Sequence, residues 1–438
     1  MNNSNSFLKL FFQLLNQRNI KYCVLRNYNS LPYNTGGSDL DIWISTNDVH
    51  KVSSIMEETS TKTNCKIVSY IKNKYSPKFC FQNTTEGIQI DVFYGNIYFQ
   101  DKVIFDEKTI CKHIVHYNNI AILNDNFSNL VSLIKELINN GFCNSKYTQP
   151  IYNCKNYSLD YLTTNLQTFS NEFINMLYKF ITEKSIETNS KFLHNLAKKS
   201  LSVNITKNKI KKLNRFFNKK PGYVIVILGT DGSGKSTIIN NITPILNEGF
   251  HKGIIYNHLR PNAIPDLGVI LGKKEKKEDI AIVSNPHAEQ QSGLLLSLMR
   301  WAYYMIDYTL GYMKVVFPVI HLKSKVFIFD RYYYDYYIDQ KRSKTKLPKL
   351  MIKLGELFLP KPDIILCLGG DPKKIYERKP ETSLKEVIRQ TNALRDFCRK
   401  HKKAVWIDTC SDIELSINQS MEAITSMMSK RFSNFKFK

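Results

Sequence analysis

The segment "VILGTDGSGKSTII", Val226–Ile239, restricts the fold of this chain more than any other stretch. Gly229-Thr230-Asp231-Gly232-Ser233-Gly234-Lys235-Ser236 fits the spacing GxxxxGK[ST]. An apolar strand pattern, Tyr223–Leu228, enters it, and a helical pattern, Ser236–Leu246, leaves it. That context predicts a strand–loop–helix unit in which glycines let successive backbone N–H groups face phosphate oxygens. The helix N-terminus adds positive potential at the same place. The pattern implies ATP, bound by residues 229–236 with Thr237 at the helix start. Lys235 would bridge the β- and γ-phosphates, and the Ser236 hydroxyl would ligate Mg²⁺.

Strand and helix patterns alternate after this loop. They run through "GIIYNHL", the apolar segment 293–320, "KVFIFD", "PKLMIKLGELF", "DIILCLGG", "DPKKIYERK", "AVWIDT" and a terminal helix. Such alternation predicts an α/β fold with a parallel sheet flanked by helices on both faces. "KVFIFDRYYYD" places a carboxylate, Asp330, at a strand end, where it can hold Mg²⁺, and Arg331 beside it, where it can reach a phosphate.

Residues 221–438 resemble the thymidylate kinase family of nucleoside monophosphate kinases. The likeness rests on GTDGSGKST, on "HLRP" after the second strand, on "DRY" at 330–332, and on "KPDIILCLGGDPKKIYERK" at 361–379. It implies catalytic roles for Lys235, Asp330, Arg331 and Arg378. It implies acceptor contacts from Arg260, Arg300, Arg331 and Gln340, and a mobile lid over ATP that begins at Arg378, with Arg389 a further candidate for phosphate contact. Phosphoryl transfer is mainly positioning and charge neutralisation, which arginine clamps supply. The chain departs from the family after DRY. It reads "YYDYYIDQ", so only Gln340 matches the base-contacting segment, and Asp335 and Tyr336 replace serines. "RPNAIPDLG" follows Arg260 in place of an acidic turn. The acceptor is therefore thymidylate, another nucleotide or a different phosphorylated metabolite.

The first 120 residues mix a helix with β-like runs: "KYCVLRN", "LDIWIS", "CKIVSYI", and "KFCFQNTTEGIQIDVFYG" turning at Thr85-Glu86-Gly87. In "GGSDLDIWIS", Asp39 and Asp41 sit two apart on a strand and so share a face. Asp91 lies in a run that can pair alongside. Three convergent carboxylates can hold two Mg²⁺ ions for nucleotidyl transfer. The pattern resembles the nucleotidyltransferase fold, with S-D-x-D and a later aspartate. The family's upstream Gly-Ser turn is replaced here by "LRNYN", where Arg26 is the substitute phosphate contact. This α+β domain is expected at 1–120, a helical extension at 121–200, a basic linker at 201–220 and the kinase-like domain at 221–438.

Composition bears on partners and compartment. The chain of 438 residues has a net charge of +24, from 50 lysines and 12 arginines against 38 acids. This charge raises nucleic acid or an anionic surface as partners. An AT-rich coding bias explains the lysine skew equally well, and it makes each arginine worth inspecting. Nine scattered cysteines without a CxxC pair indicate reduced thiols in a cytoplasmic protein. The N-terminus reads as an amphipathic helix without signal-peptide features. In segment 293–320, Arg300, Asp307 and Lys314 recur every seven residues near one face, so a helix buried on most sides of a soluble domain is expected, not a membrane span. "KKEKKED" at 273–279 reads as a solvated loop, and Ile210, Leu213 and Phe217 as one side of a linker helix.

The expected function is ATP- and Mg²⁺-dependent phosphoryl transfer to a phosphorylated small-molecule acceptor, fused to a nucleotidyltransferase-like domain. A nucleic-acid-binding P-loop NTPase and an ATP-sensing assembly protein are the alternatives. Dimerisation stays open.

Overall fold

The structure is a computed structural model that describes residues 7–154, 156–202, 221–251, 253–265, 292–323, 325–433 and 435. Its contacts divide the chain into two compact units, one mainly from residues 1–213 and the other mainly from 214–434. The linker helix expected around Ile210 and the loop expected at 273–279 lie outside the described residues.

The amino-terminal unit is built on a seven-stranded mixed sheet. Its strands are β1 (Tyr22–Val24), β2 (Leu40–Ile44), β3 (Lys66–Ile71), β4 (Lys78–Gln82), β5 (Gly87–Tyr94), β8 (Ile114–Tyr117) and β9 (Ile120–Leu123). They lie in the order β3-β4-β5-β2-β1-β9-β8, while β6 (Ile97–Phe99) and β7 (Lys102–Phe105) form a separate ribbon. β4 and β5 are neighbours, and Asn83 closes the turn between them, its amide donating to Glu86 O and its side chain accepting from the Thr85 amide. The first helix, Phe7–Gln17, buries Phe7, Phe11, Phe12, Leu14 and Leu15 on one stripe. The helix Asp125–Asn140 begins where Asn124 accepts the Phe127 amide and ends at Gly141, which has φ of 73°. Its Leu130, Ile134 and Leu137 belong to the same core as the sheet residues Ile42, Trp43 and Val92. The boundary expected at residue 120 thus falls inside β9, and the helices after it share the core of the sheet.

The carboxy-terminal unit carries a five-stranded, all-parallel sheet in the order β11-β12-β10-β13-β14. The strands are β10 (Tyr223–Gly229), β11 (Ile254–His258), β12 (Val326–Asp330), β13 (Ile364–Gly369) and β14 (Ala404–Asp408). β10 is buried throughout, as its unbroken apolar run requires. The chain leaves β10 toward β11 and β12 on one side and later reaches β13 on the other. The carboxyl end of β10 is therefore the switch point of the sheet, where a crevice opens. The glycine-rich loop occupies it.

One expectation fails. The segment 293–320 is not a helix buried on most sides: Leu295 is 75% exposed, Met299 63% and Leu310 68%. It is also interrupted. The helix Leu294–Ile306 passes through a π-helical turn, Asp307–Gly311, before Tyr312–Leu322 continues. The wider turn changes the phase of the helix. Asp307 is consequently buried while Lys314 points to solvent, so the seven-residue spacing does not keep them on one face. Among the described residues no helix is long and apolar enough to cross a membrane.

Ile225→Ala, in the centre of β10, is expected to lower the unfolding free energy by about 3 kcal/mol. Leu295→Ala is expected to change it by less than about 0.5 kcal/mol. Urea unfolding of the full chain measures both.

Candidate active site

Gly232 and Gly234 both have φ of 79°, which lets the chain turn twice between β10 and the helix Lys235–Phe250. A Cβ on Gly232 would stand 2.5 Å from Ile375 O, so only glycine fits. Lys235 begins the helix. Its ammonium is buried and donates to Gly229 O at 3.0 Å and Thr230 O at 2.9 Å. Burial, and then the charge of Arg331, bring its pKa down to about 8.

β12 delivers the facing groups. Asp330 ends the strand, and Arg331 follows in the left-handed region with φ of 69°, its amide donating to Ile227 O at 2.8 Å. This uncommon conformation for an arginine turns the side chain toward the loop. Its guanidinium donates to Asp231 Oδ1 and to Asp335 Oδ2, each at 2.8 Å. Arg342 binds the other oxygen of Asp231. Burial acts to raise the pKa of Asp231, but Arg331, Lys235 and Arg342 together hold it well below the usual carboxylate range. Asp330 Oδ2 accepts from Tyr256 at 3.2 Å and lies 3.5 Å from His258 Nδ1. Its Oδ1 is buried without a hydrogen-bond partner among the described residues.

These residues line one cavity of about 480 Å³. Asp231, Gly232, Gly234, Lys235, Ser236 and Thr237 form its floor, and Asp330, Arg331, Arg342 and Arg378 its walls. The orphaned Asp330 oxygen and the Ser236 hydroxyl are hard oxygen donors suited to Mg²⁺. Gly229, Thr230 and Ser233 complete the loop, with the Thr230 and Ser233 hydroxyls buried and without hydrogen-bond partners among the described residues.

Of the remaining predicted residues, all but Arg378 are engaged elsewhere. Arg378 reaches the cavity while donating to Thr409 O at 2.9 Å. Arg260 is 5% exposed, donates to Asp307 Oδ2 at 2.9 Å and stacks on Tyr304. Asp307 also accepts the amides of Asn262 and Ala263, so the pair fixes the turn after β11. Arg300 donates to the carbonyls of Ser343 and Lys344. Gln340 accepts the Leu347 amide at 2.6 Å and donates to its carbonyl at 3.2 Å. Arg389 donates to Ile338 O and to Glu386. Gln340 and Arg389 both line a second, smaller cavity of about 220 Å³.

In the amino-terminal unit, Asp41 on β2 is opposite Asp91 on the parallel β5. With Asp39 their oxygens lie within 4.8 Å of one another. Three cations of the chain converge there. Arg26 binds Asp41 and stands 3.8 Å from Asp39, Lys135 is 3.7 Å from Asp41, and Lys78 binds Asp91. Burial, against Lys78 but with Asp41 and Asp39, pushes the Asp91 pKa up to about 6. The carboxylates suit a divalent ion by chemistry and spacing, and such an ion competes with Arg26 and Lys78.

No family model matches the chain, and no curated protein matches it. Among solved structures, a thymidylate kinase from Ehrlichia chaffeensis aligns at 18% identity and a TM-score of 0.32, covering 47% of this chain and 100% of that one. A thymidylate kinase from Candida albicans aligns at 18% identity and a TM-score of 0.35, covering 48% and 95%. Both scores are too low to carry weight, and the site stands on its own geometry.

Sequence reading missed Arg342, Tyr256, Lys78 and Lys135, and left His258 without a role. The scarcity of arginine was the available signal for Arg342; the lysines carried none.

Asp307→Ala removes the buried carboxylate that pairs with Arg260 and accepts the Asn262 and Ala263 amides. It is expected to cost about 3 kcal/mol of stability, measured by chemical denaturation. An unchanged midpoint would show that Arg260 is free to turn outward.

Proposed function

We propose that the carboxy-terminal unit transfers the γ-phosphoryl group of ATP to a phosphorylated small molecule, with a nucleoside monophosphate such as thymidylate as the first candidate. One observation carries this reading: the glycine-rich loop, a strand-end carboxylate from the next strand, and three arginines from separate elements face one cavity. Loop amides and Lys235 would grip the triphosphate. Mg²⁺, when bound through Ser236 and Asp330, would supply charge neutralisation between the phosphates. Arg331, fixed by Asp231 and Asp335, is positioned between donor and acceptor sides, and Arg378 approaches from the rim.

Arg260, Arg300 and Gln340 suit the acceptor side through the elements they brace. In the amino-terminal unit, the Asp39–Asp41–Asp91 cluster supports a second, nucleotidyl-transfer reading, with Lys78, Lys135 and Arg26 as phosphate contacts. The test of that reading is pyrophosphate release from ATP or CTP with phosphorylated acceptors. Activity abolished by Asp39→Ala, with kinase turnover intact, supports it; ADP without pyrophosphate across the panel removes it.

Kinase turnover is read by transfer of labelled γ-phosphate to nucleoside monophosphates and sugar phosphates. Lys235→Ala is expected to lower it at least about 100-fold. A wild-type protein that binds no Mg-ATP by calorimetry would overturn the reading.

The depressed pKa of Lys235 gives a further expectation. Free protein loses half of this charge near pH 8, whereas a bound polyanion favours the ammonium. Mg-ATP affinity should therefore fall from about pH 7 to about pH 9, with proton uptake on binding near pH 8. Calorimetry in buffers of different ionisation enthalpy measures the uptake, which Lys235→Ala should abolish.

A further inference from the structure

Arg342 has no place in the resemblance, yet much of its neighbourhood is organised around it. It lies in the turn between the helix Asp335–Ile338 and the helix Lys349–Leu357, within residues 339–347. That turn is held from several directions. Gln340 clamps both backbone groups of Leu347, and the Thr345 amide donates to Gln340 O at 3.1 Å. Arg300 holds the carbonyls of Ser343 and Lys344, and the Lys346 amide donates to Ser297 Oγ at 3.0 Å. The Arg342 amide donates to Asp339 Oδ1. So many contacts converging on a short turn fix where its one arginine points.

The guanidinium reaches the glycine-rich loop and lines the same cavity as Lys235, Ser236 and Arg331. One of its terminal amino groups sits on Asp231, and Asp339 is 3.8 Å away. Its Nε–H is the atom 3.8 Å from Asp339 Oδ2, beyond hydrogen-bond reach, and it is buried without an acceptor among the described residues. A buried donor without a partner is costly and rare. Asp231 is also shared with Arg331 at 2.8 Å and Lys235 at 4.0 Å, so a single carboxylate faces three cations. Asp335 pairs with Arg331, and Asp339 lies near Arg342. The cavity itself is lined by Lys235, Arg331, Arg342, Arg378 and Lys379 against Asp231 and Asp330, a balance of charge suited to a dianionic phosphoryl group.

Resting on the kinase reading above, we propose that Arg342 is a further catalytic residue: it contacts the phosphoryl group in transfer, and Asp231 holds it in place until the substrates arrive. No new bond is implied; the γ-phosphoryl passes from ATP to the acceptor oxygen, and Arg342 offsets charge that develops on the way. On this view Arg300 and Gln340 are positioning residues that act through the turn.

The experiment uses the full chain and needs no knowledge of the acceptor. Affinity for Mg-ADP is measured with and without aluminium fluoride, which mimics the transferring group. Wild-type protein should bind tighter with fluoride. Arg342→Ala should lose at least about tenfold of that gain while its affinity for Mg-ADP alone stays within about twofold. Arg342→Lys, which keeps a charge for Asp231 but not the planar fork, should recover part of the gain and guard against a folding defect. An undiminished fluoride gain in Arg342→Ala, or an equal loss of affinity for Mg-ADP alone, would overturn the proposal by leaving Arg342 a structural latch. Wild-type protein that binds no Mg-ADP at all would overturn the kinase reading, and this proposal with it.

Discussion

The carboxylate of Asp231 connects the two halves of the candidate active site. It belongs to the glycine-rich loop after β10, and Arg331, which it binds, follows the neighbouring β12. Without that bridge the loop and the strand end would present their charges independently. Three cations in so small a space repel one another, and the half-buried Asp231 carboxylate offsets part of that repulsion while orienting the guanidinium groups. Asp335 performs the same service on the far side of Arg331. The result is a preorganised cavity lined by more cations than carboxylates.

This organisation gives a physical account of the departures from the thymidylate kinase pattern. Asp335 stands where that family has a serine, and it is spent on holding Arg331. Four tyrosines around it, Tyr332, Tyr333, Tyr334 and Tyr336, are buried in the core of the unit. The segment after Arg331 thus serves packing and charge support. The Arg260–Asp307 pair follows the same logic, since a π-helical turn carries the aspartate inward to meet the arginine.

Much of this was legible in the linear pattern. Gly232, Gly234, Lys235 and Ser236 lie within five residues, and their placement follows from local backbone geometry and a helix N-terminus, which need no distant partner. Asp39 and Asp41 were readable because strand periodicity puts alternate residues on one face, and Asp91 because it sits in a second β-run. Arg342 was not readable: its partner is 111 residues away, and nothing local marks its turn as facing the loop. Lys78 and Lys135 were hidden for the same reason, among many lysines that are solvated. The segment 293–320 misled because hydropathy reports apolar character, not what covers it, and because a single wide turn shifts the phase of every residue beyond.

Sequence alone determined most of the elements and the turn of the glycine-rich loop into its helix, because strand and helix periodicity, glycine backbone freedom and the GKS spacing are short-range properties. Tertiary structure decided which charges meet. The strand order places β12 beside β10 and so brings Asp330 and Arg331 to the loop, and the parallel pairing of β2 with β5 sets Asp41 against Asp91. Coulomb interactions between groups far apart in the chain depend on distance and burial, and both are set only when the sheet assembles.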